Sequence, residues 1–182
     1  MANYKIVFTG PVGAGKTTAI GAISQIAPIN TEAIARDATR LRKPSTTVAM
    51  DYGLLTLGKE ERVHLYGTPG QERFDFMWEI LAEGGLGIVL LLDNSRVTAL
   101  GDLAHYVEAF RASIDRSRLV VGITRMDECR KPGLATYAAR LAQMGLRAPV
   151  LEVDARRKPD VSRLLEALLY SIDPGLDLAS PA

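Results

Sequence analysis

The sequence predicts an α/β fold in which six strands form a mostly parallel sheet with helices on both faces. Apolar runs of strand length alternate with stretches of helical periodicity, as expected for repeated strand–helix–strand units. One run, residues 85–92, is apolar throughout, which is typical of a strand that helices cover on both faces. A glycine-rich segment, residues 10–17, joins the first apolar run to the first helical stretch.

The predicted elements follow in chain order. Strands are expected at residues 4–9, 48–57, 61–67, 86–93, 118–124 and 149–153. Helices are expected at residues 16–26, 73–83, 98–114, 132–144 and 159–172. The second and third strands are too close together for a crossover helix between them, so they should pair as an antiparallel hairpin.

Apolar stripes indicate which helix faces point to the sheet. The first helix carries Ala19, Ile20, Ile23 and Ile26. The helix at 98–114 carries Leu100, Leu103, Val107, Phe110 and Ile114 at helical spacing. The last helix carries Val161, Leu164, Leu165, Leu168, Leu169 and Ile172. In the helix at 132–144, Pro132 should occupy the first turn and Gly145 the C-terminal end.

Composition and charge exclude several classes of protein. The chain has 182 residues, 47% hydrophobic and 24% charged, which are values of an ordinary globular domain. Its net charge of +1 provides no basic surface for nucleic acid, which is therefore not an expected partner. The single cysteine, Cys129, excludes an internal disulfide and suits a reducing compartment.

The sequence shows no targeting or membrane signal. Lys5 interrupts the N-terminal apolar run, which is too short for a signal peptide, and the run at 85–92 is too short to span a bilayer. Neither end of the chain carries a lipidation motif. A cytoplasmic protein with no intrinsic membrane anchor is therefore expected.

Residues 10–17 read Gly-Pro-Val-Gly-Ala-Gly-Lys-Thr, the G-x-x-x-x-G-K-T pattern of a phosphate-binding P-loop. In such a loop, backbone N–H groups converge on phosphate oxygens, and the dipole of the following helix favours their negative charge. Lys16 should reach the β- and γ-phosphates, and Thr17 should offer its hydroxyl to Mg²⁺. The expected nucleotide-binding residues here are Gly13, Ala14, Gly15, Lys16, Thr17 and Thr18.

A motif at the end of the fifth predicted strand bears on which nucleotide base is bound. Residues 123–127 read Ile-Thr-Arg-Met-Asp and resemble the guanine-specifying N/T-K-x-D motif of small GTPases. The resemblance implies that Thr124, Arg125 and Asp127 bind the nucleotide. The Asp127 carboxylate can accept hydrogen bonds from guanine N1–H and the exocyclic amine, a donor pair that adenine lacks on that edge. Arg125 replaces the usual lysine, and its stem and guanidinium are expected to cover the face of the base.

A second motif for the base follows the sixth predicted strand. Residues 153–156 read Val-Asp-Ala-Arg and resemble the S-A-K motif of the same proteins. This resemblance implies that Asp154, Ala155 and Arg156 bind the nucleotide, with the Ala155 N–H donating to guanine O6.

Two further segments resemble the switches of Ras and Rab proteins. Residues 65–74 resemble the switch II sequence D-T-A-G-Q-E-R-F. The resemblance implies that Gly70 donates its N–H to the γ-phosphate and Gln71 orients the attacking water, so that Gln71, Gly70 and Lys16 are the expected catalytic residues. Residues 47–52 resemble the Rab switch I sequence T-I-G-I-D-F. That match implies that Thr47 senses Mg²⁺ and γ-phosphate, although Thr46 fits almost as well.

Together these motifs occur in the order found in a bacterial Ras-like GTPase, and the style of the switches is closest to the gliding-polarity (MglA-type) group. The resemblance implies that residues 1–182 form one GTP-binding (G) domain of the P-loop NTPase fold, with GTP or GDP and Mg²⁺ as ligands. It further implies slow, Mg²⁺-dependent hydrolysis that gates a molecular switch. Protein regulators and effectors, including roadblock-type partners, should bind the switch loops.

Gly67 and Val12 depart from the Ras pattern. Gly67 stands where Ras-like proteins carry the Walker B aspartate, and Asp51 on the neighbouring strand is the candidate replacement near Mg²⁺; a plain surface aspartate is the alternative. Val12 would crowd a donated arginine finger. Four arginines could act in cis or simply be solvated. They are Arg36, Arg40 and Arg42 in the long irregular segment 28–47, and Arg73 in the switch II segment.

Other readings of the same residues remain open. Gly67 and Val12 also suit a hydrolysis-deficient GTP-binding scaffold that serves as an interaction module. An ATP-dependent P-loop enzyme, such as a small-molecule kinase, is a second alternative, against which Asp127 and the switch II resemblance argue. His64 and His105 lie on strand and helix patterns and are expected to be structural.

Overall fold

The computed structural model of the protein describes residues 2–30, 50–57, 61–70 and 76–173. Its strands, in chain order, are β1 (Ala2–Thr9), β2 (Ile29–Asn30), β3 (Asp51–Leu57), β4 (Glu61–Gly67), β5 (Gly87–Asp93), β6 (Leu119–Thr124) and β7 (Val150–Glu152). Its helices are α1 (Lys16–Ile23), α2 (Phe76–Ala82), α3 (Ala99–Ala109), α4 (Arg111–Ile114), α5 (Leu134–Gln143) and α6 (Lys158–Ile172).

The strands form one sheet in the order β2-β3-β4-β1-β5-β6-β7. Strands β4, β1, β5, β6 and β7 run parallel, while β3 pairs antiparallel with β4 and with β2. The predicted P-loop NTPase fold, with a mostly parallel sheet and an antiparallel hairpin at one side, is confirmed. Six strands match the prediction, and the two-residue β2 is an addition that its short sequence does not signal.

Strand β5 shows how the sheet separates two apolar layers. Its buried residues alternate: Val89 and Leu91 pack with α1 and α6, while Ile88, Leu90 and Leu92 pack with α2, α3 and α5. Side chains of a strand point alternately to opposite faces, so a strand that helices cover on both faces must be apolar at every position. The uninterrupted apolar run in the sequence has this cause.

Side chains close the outer edge of β3 over part of its length. The Leu54 and Thr56 N–H groups donate to Ser24 Oγ at 3.2 Å and Gln25 Oε1 at 2.9 Å. The Gln25 N–H donates to the Leu54 carbonyl at 2.7 Å. The segment after α1 therefore satisfies backbone groups that an open sheet edge would offer to another chain.

Several predicted boundaries differ from the observed ones. Helix α1 ends at Ile23, because Ser24 is extended, and Ile26 is exposed rather than on a core stripe. The helix expected at 98–114 is divided at Phe110 into α3 and α4.

The expectation for Pro132 is wrong, whereas the one for Gly145 is confirmed. Helix α5 begins at Leu134, and Pro132 precedes it after a cis peptide bond. Gly145 lies just beyond the helix with a φ of 75°, a left-handed conformation that favours glycine at a helix end.

Among the described helices, none combines the length and hydropathy that a bilayer span demands.

Candidate functional site

The P-loop follows β1 at the carboxyl end of the parallel strands, where ligands bind in open α/β sheets. Gly10 and Gly15 have φ angles of 137° and 98°, which residues with a side chain rarely adopt. A Cβ at Gly10 would lie 2.1 Å from the Leu91 carbonyl oxygen, and one at Gly15 would lie 2.9 Å from the Ala155 Cβ. Glycine is therefore required twice, once against β5 and once against the second base motif.

Lys16 begins α1 and points back over the loop. Its Nζ donates to the carbonyl oxygens of Gly10 and Pro11 at 2.7 and 2.8 Å, and the residue is 7% exposed. Burial lowers the pKa of Lys16 to about 8, while the charge of Asp51 opposes that shift. The two backbone carbonyls hold the ammonium group beside the amides that the sequence predicts to bind phosphate, so an anion there would gain a strong electrostatic partner.

Thr17 and Asp51 meet beside the P-loop. The Thr17 hydroxyl donates to Asp51 Oδ2 at 2.5 Å, and Asp51 lies opposite Gly67 in the β3–β4 pair. A Cβ at Gly67 would lie 3.0 Å from the Asp51 Cβ and 3.1 Å from Oδ2. The Asp51 carboxylate thus occupies the space next to the strand end at which Ras-like proteins place their own carboxylate.

The segment that follows β4 lies against the P-loop. Thr68 donates its N–H to the Phe8 carbonyl at 2.8 Å, and a Cβ at Gly70 would lie 2.7 Å from the Val12 nitrogen and 2.8 Å from Lys16 Nζ. Gly70 therefore sits beside the lysine that should bind phosphate. The predicted residues Gln71 and Thr47, with Thr46 and the arginines of the two switch segments, lie outside the described residues.

Aromatic side chains hold this segment from the other side. Trp78 Nε1 donates to the Pro69 carbonyl at 2.9 Å, and the Tyr106 hydroxyl donates to the Gly70 carbonyl at 3.2 Å. The Trp78 ring stacks on Tyr106 and Phe110 with centroid distances of 4.8 and 5.6 Å. His105 packs edge-on against Trp78, in keeping with its expected structural role.

A cavity of about 670 Å³ opens between the P-loop and the ends of β6 and β7. The predicted nucleotide-binding residues that line it are Gly13, Ala14, Gly15, Thr18, Thr124, Arg125, Asp127, Asp154, Ala155 and Arg156. Lys16, Thr17, Asp51 and Gly70 form the neighbouring phosphate-side cluster through the contacts above. The fold thus brings the P-loop and both base motifs to one cavity, although they are far apart in the sequence.

Hydrogen bonds connect the first base motif to the P-loop. The Thr124 hydroxyl donates to the Ala14 and Leu92 carbonyl oxygens at 3.3 and 3.2 Å. Arg125 has a φ of 57°, and its Nη1 donates to Asp93 Oδ2 at 2.8 Å. Asp93 therefore holds the guanidinium that the sequence predicts over the base, whereas Asp127 is exposed at the cavity wall.

The second base motif is ordered by two aspartates. Asp154 accepts two bonds from the Arg156 guanidinium, both at 2.9 Å, and those bonds are the main cause that lowers the pKa of Asp154 to about 2. Asp160 at the start of α6 accepts the Asp154 N–H at 3.1 Å. The sequence does not reveal that Asp160 holds the second base motif, because Asp160 resembles any acidic residue in a first helical turn.

Other residues of the site also escape sequence reasoning. Asn94, directly after β5, is 1% exposed and donates to carbonyl groups of the loop that carries Asp127. Its position at the carboxyl end of a central strand is the one signal that could have identified it. No sequence motif marks Trp78 or Tyr106, because their contacts depend on how α2 and α3 pack against each other.

The residues present suit a magnesium ion. Thr17 and Asp51 supply hydroxyl and carboxylate oxygens, the hard ligands that Mg²⁺ prefers, and they already lie in contact beside the P-loop. Magnesium usually retains several waters and needs only one or two protein ligands. Accordingly, no group of three His, Cys, Asp or Glu side chains within the described ranges could hold a metal on its own.

Comparisons with known proteins place these features in context. Uncharacterized protein MJ1339 of Methanocaldococcus jannaschii is 36% identical over 95 residues, which are 52% of this chain and 53% of that protein. Ras-related protein Rab-8B of Homo sapiens is 26% identical over 124 residues, 65% of this chain and 54% of that protein. This chain thus spans about half the length of these two relatives.

A third relative, Ras-related protein RABC2a of Arabidopsis thaliana, is 22% identical over 182 residues, 93% of this chain and 78% of that protein. The relation to Ras proteins is therefore distant but extends along most of the chain. A family model described as "Conserved hypothetical ATP binding protein" matches residues 8–167, from the end of β1 into α6. The protein is a nucleotide-binding P-loop protein with distant Ras-like relatives, and it belongs to the family described as conserved hypothetical ATP binding protein.

Proposed function

We propose that the protein is a small GTPase that acts as a GTP/GDP-gated switch with slow, Mg²⁺-dependent hydrolysis. The observation that carries the proposal is the shared cavity, which has P-loop glycines on one wall and Asp127 on another. Phosphate binding and base selection are thereby coupled within one site. The similarity to Rab proteins along the chain supports the same reading.

Guanine is the proposed base because of the chemistry of Asp127. A carboxylate accepts hydrogen bonds from the N1–H and exocyclic amine of guanine together, whereas adenine has an unprotonated N1 and would place a lone pair against the carboxylate. The description of the matched family names ATP, so ATP is the competing nucleotide. Competition between GDP and ADP for the purified protein separates the two readings.

Magnesium is proposed to bind beside Thr17 and Asp51. A bound Mg²⁺ would neutralise charge on the β- and γ-phosphate oxygens. Thr17 would offer its hydroxyl oxygen to the metal, and Asp51 would take the role for which Gly67 has no side chain. The short Thr17–Asp51 contact supports this assignment, since it places both oxygens at the end of the P-loop.

Hydrolysis is proposed to depend on positioning and charge. Lys16 leaves its two carbonyl acceptors for the phosphates, and Gly70, which already lies beside Lys16 Nζ, donates its N–H to the γ-phosphate. Gln71 orients the attacking water, and Thr47 binds from switch I. Loss of the γ-phosphate then releases Gly70 and Thr47, which changes the surface that partners recognise.

Protein regulators and effectors are proposed to read that change at the switch segments. The resemblance to gliding-polarity GTPases adds roadblock-type proteins as candidate regulators. Since Asp51 and Gly70, one from each switch segment, lie next to the P-loop, a partner could sense the nucleotide without entering the cavity.

The decisive test measures binding and turnover on the same preparation. Wild-type protein should bind GDP and GTP well and ADP weakly, and it should release phosphate from GTP only when Mg²⁺ is present. Lys16→Ala should lose nucleotide binding, while Lys5→Ala, which lies within β1 and donates to the Glu83 carbonyl, should retain it. Tighter binding of ADP than of GDP would refute the guanine assignment.

A hydrolysis-deficient scaffold is the second candidate. It is favoured by Gly67, which supplies no carboxylate, and by Val12, which is 59% exposed where an activating residue would approach. This candidate predicts tight Mg²⁺-dependent GTP binding without phosphate release over many hours, including in the presence of a switch-binding partner.

A further inference from the structure

Asn94 is a buried amide that contacts the base-selecting loop. Its Nδ2 donates to the Cys129 carbonyl at 2.5 Å and to the Pro132 carbonyl at 3.2 Å. Its backbone N–H donates to the Thr124 carbonyl at 3.0 Å. Asn94 therefore binds the loop on both sides of Asp127, three residues before it and two residues after it.

Tyr137 of α5 fixes the orientation of that amide. The Tyr137 hydroxyl lies 2.6 Å from Asn94 Oδ1, and Tyr137 is fully buried. Burial raises the pKa of Tyr137 to about 12, so the hydroxyl keeps its proton and donates it. Because Oδ1 accepts from the tyrosine, both hydrogens of Nδ2 are left to point at the two loop carbonyls.

The loop between these contacts is a single tight turn. The N–H groups of Glu128 and Cys129 both donate to the Arg125 carbonyl, at 3.2 and 3.0 Å. Asp127 lies inside this turn and is exposed at the cavity. Asn94 thus holds the backbone on both sides of the turn that carries Asp127.

We propose that Asn94, oriented by Tyr137, is a positioning residue that sets the Asp127 carboxylate against the purine edge and so determines the selection of guanine. The inference rests on the proposed function, because it requires Asp127 to read the base. Asn94 itself does not line the cavity. Its contribution is the geometry that allows one carboxylate to accept two hydrogen bonds at once.

Inosine diphosphate is a suitable probe for that geometry. It is GDP without the exocyclic amine, so it retains the N1–H that donates to Asp127 and lacks the second donor. A hydrogen bond to a charged group contributes enough that wild type should prefer GDP over inosine diphosphate by at least about tenfold. The ratio of the two dissociation constants reports on the position of Asp127 and cancels effects on phosphate binding and on overall folding.

Two variants test the role. Asn94→Ala removes the two side-chain contacts, with the Cys129 and Pro132 carbonyls, while keeping the backbone bond to Thr124, and should reduce the GDP preference to within about threefold of unity. Tyr137→Phe retains the buried ring but frees Oδ1, and should lower the preference by at least about threefold. Leu141→Ala is the matched control: it lies one turn further along α5, is 1% exposed, and should lower thermal stability while leaving the ratio unchanged.

The outcomes separate the inference from the function on which it rests. If wild type prefers GDP and both Asn94→Ala and Tyr137→Phe keep the wild-type ratio, Asn94 is structural and the inference is overturned, while the proposed function stands. If Asn94→Ala does not fold, the ratio of Tyr137→Phe decides alone. If wild type does not prefer GDP over inosine diphosphate or over ADP, both the base assignment and the inference are overturned.

Discussion

Asp51 faces Gly67 across the antiparallel pair of β3 and β4, and its carboxylate accepts the Thr17 hydroxyl. A carboxylate on β3 thus lies opposite a position on β4 that has no side chain. The space between the two positions has room for only one side chain, since a Cβ at Gly67 would lie 3.0 Å from the Asp51 Cβ. Glycine on β4 and aspartate on β3 are therefore two parts of one arrangement.

Asp51→Asn should raise the Mg²⁺ concentration that GTP binding and turnover require. The amide keeps the shape of the side chain but removes its charge, so about 10- to 100-fold more Mg²⁺ should be required for half-maximal turnover. Phosphate release measured against Mg²⁺ concentration checks this. Asp102→Asn is the control, because Asp102 pairs with Arg96 near the start of α3. An unchanged Mg²⁺ requirement in Asp51→Asn would remove Asp51 from the metal site.

Exchange of the two side chains tests whether the pair acts as a unit. Gly67→Asp alone should lower the free energy of unfolding by about 1–3 kcal/mol, because the new side chain meets Asp51 and Ile20. The double variant Asp51→Gly with Gly67→Asp vacates that space and should regain most of the loss and a normal Mg²⁺ requirement. Denaturant unfolding with and without Mg²⁺ measures both effects. Additive losses in the double variant would show that the two positions do not compensate each other.

Lys16 should make the stability of the nucleotide-free protein rise with pH. Its pKa is lowered to about 8 in the folded protein, whereas an unfolded lysine titrates near 10.5. Between these values the unfolded chain binds more protons, so unfolding becomes less favourable as pH increases. From pH 7.5 to 9.5 the gain should be about 1–2 kcal/mol. Urea unfolding should show this rise in wild type and a flatter curve in Lys16→Met; parallel curves would contradict the shift.

Local sequence patterns predict the sheet and the P-loop because both depend on residues that are neighbours in the chain. The alternation of apolar runs gives the strands, and the fixed spacing of glycines and Lys16 gives the loop. The contact of Thr17 with Asp51 spans 34 positions and depends on the register that sets Asp51 opposite Gly67. The sequence indicates Asp51 as a candidate ligand near Mg²⁺, but it does not predict the strand register that brings Asp51 to Thr17.

Asn94 shows a second limit. Its partners lie 35, 38 and 43 positions further along the chain, and a polar residue after a strand usually begins a solvated loop. Nothing in its neighbours indicates burial. The same holds for Arg125, for which the family pattern predicts a position over the base, whereas the ion pair with Asp93 depends on how β5 and β6 align. Roles that arise from packing between distant segments thus stay hidden, while roles written in short motifs do not.

Trp78 should report the nucleotide state of the protein. It is the single tryptophan of the chain, and its Nε1 donates to the carbonyl of Pro69, next to Gly70. If Gly70 follows the γ-phosphate, the hydrogen bond and the surroundings of the indole should change, and tryptophan emission should differ between the GDP complex and a complex with a non-hydrolysable GTP analogue.

The Tyr106→Phe variant tests the same segment, residues 68–70, by turnover. It removes the hydrogen bond from the Tyr106 hydroxyl to the Gly70 carbonyl. It should slow GTP turnover by about threefold or more without changing GDP affinity, because that bond positions the segment and does not touch the diphosphate. Equal emission in both complexes, together with unaltered turnover in Tyr106→Phe, would show that the aromatic contacts hold a static segment and that the switch motion lies elsewhere.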